Sequence, residues 1–228
     1  MQLREKAAQI VPDFSWEAVD RVFLDMDGTL LDKYYDDYFW GEHVPLAYAG
    51  KNHVDVVAAQ ELLYSIYKSV ENTLQWTNLD YWSEQLGLDI VAMKREISHL
   101  INAHPSITDF FAYMHKIDKP LYLITNADPQ SLALKMEQVQ LHGWFKQIVC
   151  SSEVGLAKEQ PEFWPRLARL LGYDKERTLF ADDTEQVLHS AATYGIRHLI
   201  HIAKPSSRLP VRFSAQYQSI VNFQELIF

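Results

Sequence analysis

Short apolar runs that each lead to a polar residue are the feature of this sequence that most restricts its fold. "VFL" leads to Asp25, "LYLIT" ends at Thr125, and "TLFA" leads to Asp182. Apolar runs of this length, bounded by turn residues, are typical of strands buried on both faces. Helical patterns alternate with the runs after residue 105, so the sequence predicts an α/β fold with a parallel sheet and helices on both faces.

The predicted elements of this alternation have approximate boundaries. We expect strands at 21–27, 120–125, 147–150, 177–181 and 197–202. We expect helices between them at 107–117, 128–141, 161–172 and 185–195. The tail from residue 204 has polar loop residues followed by an apolar end, and it is expected to pack back on the core.

A long stretch without strand signals interrupts the alternation after the first strand. Apolar residues recur there at helical spacing, which predicts helices at 55–76, 78–88 and 89–101. An insertion after the carboxyl end of a strand lies where open α/β sheets bind ligands. The sequence therefore predicts an all-helical cap domain at 34–103, inserted into a core domain formed by 1–33 and 104–228.

Composition excludes several classes of function. The formal net charge is -9 and the chain has no run of basic residues, which argues against binding a nucleic acid polymer. A single cysteine, Cys150, excludes disulfides within the chain and a zinc cluster of thiolates. No apolar stretch is long enough to span a membrane, and the first twenty residues lack the apolar region of a signal peptide. We therefore expect a cytoplasmic protein.

Asp25 and Asp27 create an electrostatic problem, because two like charges end a strand that looks buried. Burying an unpaired carboxylate is costly. Either a cation lies between them, or one of them carries a proton, or the strand is exposed. A second pair, Asp182 and Asp183, follows another apolar run, and the carboxyl ends of parallel strands lie at one edge of the sheet.

The polar residues at these strand ends suit a phosphoryl group bound with a metal ion. Asp25, Asp27 and one of the two later aspartates offer the hard oxygen ligands that Mg²⁺ prefers. Lys158 would add a positive charge, Thr125 a hydroxyl and Asn126 an amide donor. A metal ion and a lysine would also neutralise the paired aspartates.

Four motifs carry a resemblance to a known family. "DMDGTLLD", "LITNAD", "AK" and "FADDT", in that order, resemble the motifs of the haloacid dehalogenase (HAD) superfamily. This resemblance implies a Rossmann-like core with a helical cap. "LLDKYYDDYFWGEHVP" and "LDYWSEQLGLDI" further resemble cap segments of bacterial GMP/IMP nucleotidases of the superfamily.

The resemblance implies roles for the two aspartates of the first motif. Asp25 would be the nucleophile that forms an aspartyl-phosphate, which is a known kind of covalent catalysis. Asp27 would protonate the leaving oxygen, then activate water, and its backbone carbonyl would bind Mg²⁺. An aspartate at this second position is found in the phosphatases and mutases of the superfamily and is absent from its dehalogenases.

The other motifs imply the rest of the site. Thr125 and the amide after it, from Asn126, would hold phosphate oxygens, and Lys158 would neutralise charge between nucleophile and phosphate. Asp183 would bind Mg²⁺ directly, and Asp182 would do so directly or through a water. One departure is Glu159, since many relatives have proline directly after the motif lysine.

Substrate identity is less constrained by the sequence. The resemblance favours a nucleoside monophosphate, and an aromatic wall formed by Tyr34, Tyr35, Tyr38 or Trp40 would stack on its purine base. The alternative for each of these residues is packing between cap and core. A phosphatase of a sugar phosphate or another small metabolite, a phosphomutase and a binding module without catalysis are the rival functions.

Overall fold

The computed structural model describes residues 7–228, and its centre is a six-stranded sheet in which every pair of neighbouring strands is parallel. The strands are β1 (Arg21–Leu24), β2 (Leu121–Thr125), β3 (Phe145–Cys150), β4 (Thr178–Asp182), β5 (His198–Ile202) and β6 (Gln218–Ile220). Their spatial order is β3-β2-β1-β4-β5-β6. The predicted parallel α/β sheet is therefore confirmed. Residues 1–6, which the sequence predicts to belong to the core domain, lie outside the described residues.

Helices fill the segment between β1 and β2 and connect the later strands. Before β2 these are α1 (Tyr34–Tyr38), α2 (Val44–Asn52), α3 (Val56–Val70), α4 (Leu74–Thr77), α5 (Leu79–Leu86), α6 (Ile90–Glu96) and α7 (Ile107–Lys116). After β2 they are α8 (Pro129–Val139), α9 (Ser151–Val154), α10 (Phe163–Leu171) and α11 (Glu185–Tyr194). A π-helical segment, Phe39–His43, joins α1 to α2.

The central strand shows why its residues are apolar on both sides. Val22 and Leu24 are fully buried in one hydrophobic cluster, whereas Phe23 between them is buried in a second cluster on the opposite face. Side chains alternate across a strand, so a strand covered on both faces needs a continuous apolar run. The helices of the core therefore cover both faces of the sheet, as the sequence predicts.

Some boundaries of the predicted elements are wrong, and two of them have a clear structural outcome. The helix expected over 55–76 is broken, because α3 ends at Val70 and α4 begins at Leu74. Asn72 adopts the left-handed conformation there, with φ 65°, and asparagine tolerates this better than most residues. The first strand ends at Leu24 and does not reach residue 27.

The tail packs on the core, as expected, but it also contributes a strand that the sequence analysis missed. Gln218, Ser219 and Ile220 form β6 at the edge of the sheet, where they pair with β5. Three residues with two polar members carry little strand pattern. Pairing with a neighbouring strand, which sequence periodicity cannot show, therefore decides their conformation.

The chain leaves the core and returns to it through two adjacent segments. The backbone N–H of Asp32 donates to the carbonyl of Asn102 at 2.9 Å, and that of His104 donates to the carbonyl of Leu30 at 2.8 Å. These hydrogen bonds lie beside the predicted domain boundaries. The helices from α1 to α6 thus leave the core at the carboxyl end of β1.

Membrane-spanning helices are not found among residues 7–228. Every helix in this range is too short or too polar to cross a bilayer.

Candidate active site

A cleft of about 690 Å³ lies over the carboxyl ends of the strands. Its walls come from the inserted helices and from the sheet, because residues of α1 and α3 line it together with residues that follow β1, β2 and β4. The strand order reverses between β1 and β4, since the chain builds outward to β3 and then returns to the other side of β1. Ligands of open α/β sheets bind at such a switch point. The volume is also in the range of small-molecule sites.

Three aspartates come together at the switch point. Asp25 follows β1, Asp182 ends β4 and Asp183 comes next, and each offers a carboxylate oxygen within 4.8 Å of the others. Such a set of hard oxygen donors fits a divalent cation of the Mg²⁺ type. The side chain of Asp27 is not in this cluster. The metal contact expected from its backbone carbonyl stays a prediction.

Lys158 is the buried cation that joins β1 to β4. Its ammonium group donates to a carboxylate oxygen of Asp25, to Asp182 Oδ2 at 2.7 Å and to the carbonyl of Ile124 at 3.2 Å. Burial alone would lower the pKa of Lys158, but the charges of Asp182 and Asp25 raise it above its usual value. The lysine is therefore positively charged, as the sequence interpretation requires.

The acidic groups remain in excess around Lys158. Burial raises the pKa of Asp25 to about 7, although the charge of Lys158 opposes this, and the charge of Asp182 adds to the rise. Burial also raises the pKa of Asp182 to about 6 against the same lysine. Three carboxylates face two ammonium groups, those of Lys158 and Lys33. A bound cation would balance the remaining negative charge.

Asp27 faces the cleft and has a different cationic partner. Its Oδ1 accepts a hydrogen bond from Lys135 Nζ at 2.7 Å, and about 25% of its side chain is exposed. Burial raises the pKa of Asp27 to about 6, although the charge of Lys135 lowers it. A carboxyl group with such a pKa can give and take a proton near neutral pH. Sequence reasoning did not identify Lys135.

Thr125 and Asn126 lie at the end of β2 and line the cleft. The Thr125 hydroxyl oxygen accepts from the backbone N–H of Ala127 at 3.0 Å, which leaves its proton for a ligand. Asn126 bridges two residues of the lysine loop. Its Oδ1 accepts from the Lys158 backbone N–H at 3.0 Å, and its Nδ2 donates to Glu159 at 2.9 Å. Glu159 therefore helps to fix this loop.

The turn after β1 holds Asp183 in place. Lys33 donates to Asp183 Oδ2 at 2.7 Å, and the Thr184 hydroxyl donates to its Oδ1 at 3.3 Å. Gly28 lies against this carboxylate with φ 84°, and a Cβ atom on it would lie 2.5 Å from Asp183 Oδ2. Glycine is required here both for its conformation and for the close approach.

The aromatic residues after the first motif divide into two groups. Tyr35 is 1% exposed, its hydroxyl donates to the Lys94 carbonyl at 3.0 Å, and its ring centroid lies 5.3 Å from Lys135 Nζ of α8, so it packs between cap and core. Neither it nor Tyr34 or Tyr38 lines the cleft, whereas Trp40 does. The cleft also has aromatic residues that sequence reasoning did not place there, namely Tyr64, Tyr67 and Trp76. Tyr64 and Tyr67 are three positions apart on α3, and residues at this spacing share one face of a helix. That spacing was the signal in the sequence that could have placed them together.

Three of these rings form one wall of the cleft. The ring centroids of Trp40, Tyr67 and Trp76 lie 5.5 to 6.4 Å from one another. Such distances are typical of interacting aromatic side chains. The aromatic wall is thus defined as Trp40, Tyr67 and Trp76.

The arrangement matches a known family. A model of the haloacid dehalogenase-like hydrolases matches residues 19–193, which include Asp25, Asp27, Thr125, Lys158 and both later aspartates. The chain belongs to this hydrolase family. The HAD fold with its helical cap, implied by the four motifs, is therefore confirmed.

Two kinds of relatives are similar to this HAD hydrolase. The GMP/IMP nucleotidase YrfG of Escherichia coli (strain K12) is 38% identical over 215 residues, which cover 94% of this chain and 97% of that protein. A HAD phosphatase from Thermococcus onnurineus has a TM-score of 0.75 at 17% identity, covering 91% of this chain and 96% of its own. An L-2-haloacid dehalogenase from Xanthobacter autotrophicus has a TM-score of 0.61 at 14% identity and the same coverage. The last two likenesses show the fold alone.

Gly28→Ala should weaken metal binding, because the added methyl group would displace Asp183 and strain the turn. We expect the affinity for Mn²⁺, measured by titration calorimetry, to fall by about tenfold or more. Gly143→Ala is the matched control, since a Cβ atom there meets nothing within 4 Å. Unchanged affinity in Gly28→Ala would contradict the placement of Asp183 among the metal ligands.

Proposed function

We propose that the protein is a Mg²⁺-dependent phosphomonoester hydrolase that acts through an aspartyl-phosphate, and that its substrates are purine nucleoside 5'-monophosphates of the GMP and IMP type. The observation that carries this proposal is the 38% identity to a GMP/IMP nucleotidase over 94% of the chain, which spans cap and core alike. The proposal includes the predicted cytoplasmic location.

The first step of the proposed reaction uses Asp25 and Asp27. A carboxylate oxygen of Asp25 attacks phosphorus, the bond from phosphorus to the ester oxygen breaks, and Asp27 gives its proton to the leaving oxygen. Lys158, which contacts Asp25 and Asp182, offsets the charge that gathers as nucleophile and phosphate approach. Mg²⁺ held by Asp25, Asp182 and Asp183 would supply further stabilisation of charge on the phosphate oxygens.

The second step restores the enzyme. Asp27, now ionised, takes a proton from water as the water oxygen attacks phosphorus. The bond from phosphorus to Asp25 breaks, and inorganic phosphate leaves. Thr125 and Asn126 line the cleft, where the Thr125 hydroxyl and the Asn126 backbone N–H would bind phosphate oxygens in both steps. Asp27 therefore acts as acid and then as base, which its pKa of about 6 supports.

The aromatic wall supports a purine substrate. Trp40, Tyr67 and Trp76 line the same cleft as Asp25 and Asp27. A base stacked on an aromatic side chain gains on the order of 1–3 kcal/mol. Binding energy at the base helps the reaction when it positions the phosphate against the nucleophile. The rival sugar-phosphate substrate would make little use of such a wall.

Asp25→Asn should remove turnover while the fold is retained, because an amide is a poor nucleophile and a poor metal ligand. We expect phosphate release from GMP to fall on the order of 10³-fold or more. Asp20→Asn is the matched control, since Asp20 is an exposed aspartate that pairs with Arg177 beside the amino end of β1 and does not line the cleft. If the Asp25 variant keeps a substantial rate, the nucleophile has been misassigned.

Chelation should abolish the activity and Mg²⁺ should restore it. EDTA removes the cation that balances the three aspartates, so phosphate release should stop in its presence. Ca²⁺ should restore the rate poorly, because its looser and higher coordination suits in-line displacement less well. Full activity in EDTA would contradict the proposed metal site.

GMP and IMP should be hydrolysed with a higher kcat/KM than CMP and UMP, because purines offer a larger face to the aromatic wall. Trp40→Ala and Trp76→Ala should each lower kcat/KM for GMP by about tenfold, which corresponds to roughly 1.4 kcal/mol of lost stacking. Hydrolysis of p-nitrophenyl phosphate should be spared. A panel of nucleotides and sugar phosphates provides the measurement.

Tyr38→Ala is the control for the aromatic wall, since Tyr38 does not line the cleft. If both tryptophan variants keep the wild-type ratio between GMP and p-nitrophenyl phosphate, as the Tyr38 variant should, the base is bound elsewhere. If sugar phosphates are better substrates than every nucleotide, the nucleotidase proposal fails and the phosphatase mechanism stands.

A further inference from the structure

Four residues of alternating charge form a chain that ends at Asp27. Lys94 Nζ donates to Asp36 Oδ1 at 2.9 Å, and Lys135 Nζ donates to Asp36 Oδ2 at 2.6 Å. Lys135 also donates to Asp27 Oδ1 at 2.7 Å. Each inner member of the chain therefore lies between two groups of opposite charge.

The two lysines of this chain are almost completely buried. The residues Lys94 and Lys135 are each 2% exposed. Removing an ammonium group from water costs several kcal/mol, and only good geometry with opposite charges offsets this. A surface ion pair would join the same helices at a much smaller cost. The position of these lysines therefore calls for an explanation beyond the packing of α6 and α8.

Aromatic rings enclose the lysines. Lys94 Nζ lies 4.9 Å from the ring centroid of Tyr35, 4.5 Å from that of Phe39 and 5.7 Å from that of Trp40. Lys135 Nζ lies 5.3 Å from the Tyr35 ring. The face of an aromatic ring attracts a cation, most strongly where water is excluded. Tyr35 thus holds both lysines in place.

The chain of charges connects the helical segment to the core. Asp36 is in α1 and Lys94 in α6, both in the segment inserted after β1, whereas Lys135 is in α8 of the core. Asp27 belongs to the turn that follows β1. The Asp36–Lys135 contact is therefore a link between cap and core, and it lies one hydrogen bond away from the proposed acid and base.

We infer that Lys135 is a positioning residue for Asp27. We also infer that Asp36 makes this positioning depend on where the cap lies relative to the core. The inference rests on the proposed function. Lys135 fixes Oδ1 of Asp27, and no side chain of residues 7–228 donates to its Oδ2, which is free to reach the ester oxygen. Without the lysine, the carboxyl group can rotate away from that oxygen.

The test uses two substrates that differ in their need for a proton. The nucleoside oxygen of GMP leaves poorly unless Asp27 protonates it, whereas p-nitrophenolate leaves as a stable anion. In Lys135→Met, kcat for GMP should fall by about tenfold to a hundredfold, within the usual range of acid–base catalysis. The pre-steady-state burst of p-nitrophenolate should keep its rate within about threefold. Steady-state turnover of that ester should still slow, because the second step needs Asp27 as base.

Three further variants complete the test. Asp27→Asn should also lower kcat for GMP while sparing the burst rate, and the difference between the two should be larger than in Lys135→Met. Lys135→Arg should recover part of the kcat for GMP because it restores a cation. Asp36→Asn removes the negative charge on the cap side of Lys135, so it should also lower kcat for GMP by more than it lowers the burst rate. Lys68→Met is the matched control, because Lys68 is an exposed cap lysine paired with Glu71, and it should behave as wild type.

Two results would overturn the inference. Equal losses of the burst and of GMP turnover, in a variant with wild-type Tm, would mean that the lysine stabilises the site in general. A raised KM with unchanged kcat would mean that Lys135 binds the substrate directly. If Lys135→Met does not fold, Lys135→Arg and Asp36→Asn decide the question through the ratio of kcat for GMP to the burst rate of p-nitrophenolate.

A failure of the proposed function would be recognised separately. Wild-type protein that releases phosphate from neither substrate would refute the phosphatase proposal. Wild-type protein that prefers a sugar phosphate would refute only the nucleotide substrate. The comparison with p-nitrophenyl phosphate then continues with that sugar phosphate, because a sugar oxygen also needs a proton to leave.

Discussion

The contact of Lys158 with Asp25 and Asp182 is the interaction on which the site depends. One buried ammonium group joins the ends of β1 and β4 and donates to both carboxylates. Removing it would leave two buried carboxylates with less compensation, which is far more costly than removing an exposed pair. The proposed nucleophile Asp25, the proposed metal ligand Asp182 and the switch point of the sheet are therefore held by the same residue.

Sequence reasoning placed the central residues of the site because each of them follows or ends an apolar run, which is a local pattern in the sequence. Asp25, Thr125 and Asp182 follow or end apolar runs, and a parallel sheet brings the ends of such runs to one edge. The roles assigned to them from the family resemblance stay predictions. Their convergence with Lys158 in one cleft is a structural fact.

The features that the sequence did not reveal depend on contacts between distant residues. Lys135 lies in the apolar run "LALKM", which could have suggested a buried lysine, but its partner Asp36 is 99 positions away. The orientation of Tyr35 and Trp40 was also hidden. A π-helical segment begins at Phe39 and changes the number of residues per turn, so a period of 3.6 does not show which ring faces the cleft.

The core and the inserted helices contribute different parts of the site. A proposal about the substrate therefore needs a relative that is similar in both parts. The fold is shared with a phosphatase and with a dehalogenase, so the sheet alone does not determine the reaction. In the proposed function, Asp27 restricts the reaction to phosphoryl transfer, whereas the aromatic wall, which belongs to the cap helices, would select the group that carries the phosphate. The Asp36–Lys135 pair joins these two parts. Because the 38% identity covers both of them, it supports a proposal about the substrate that the fold alone could not.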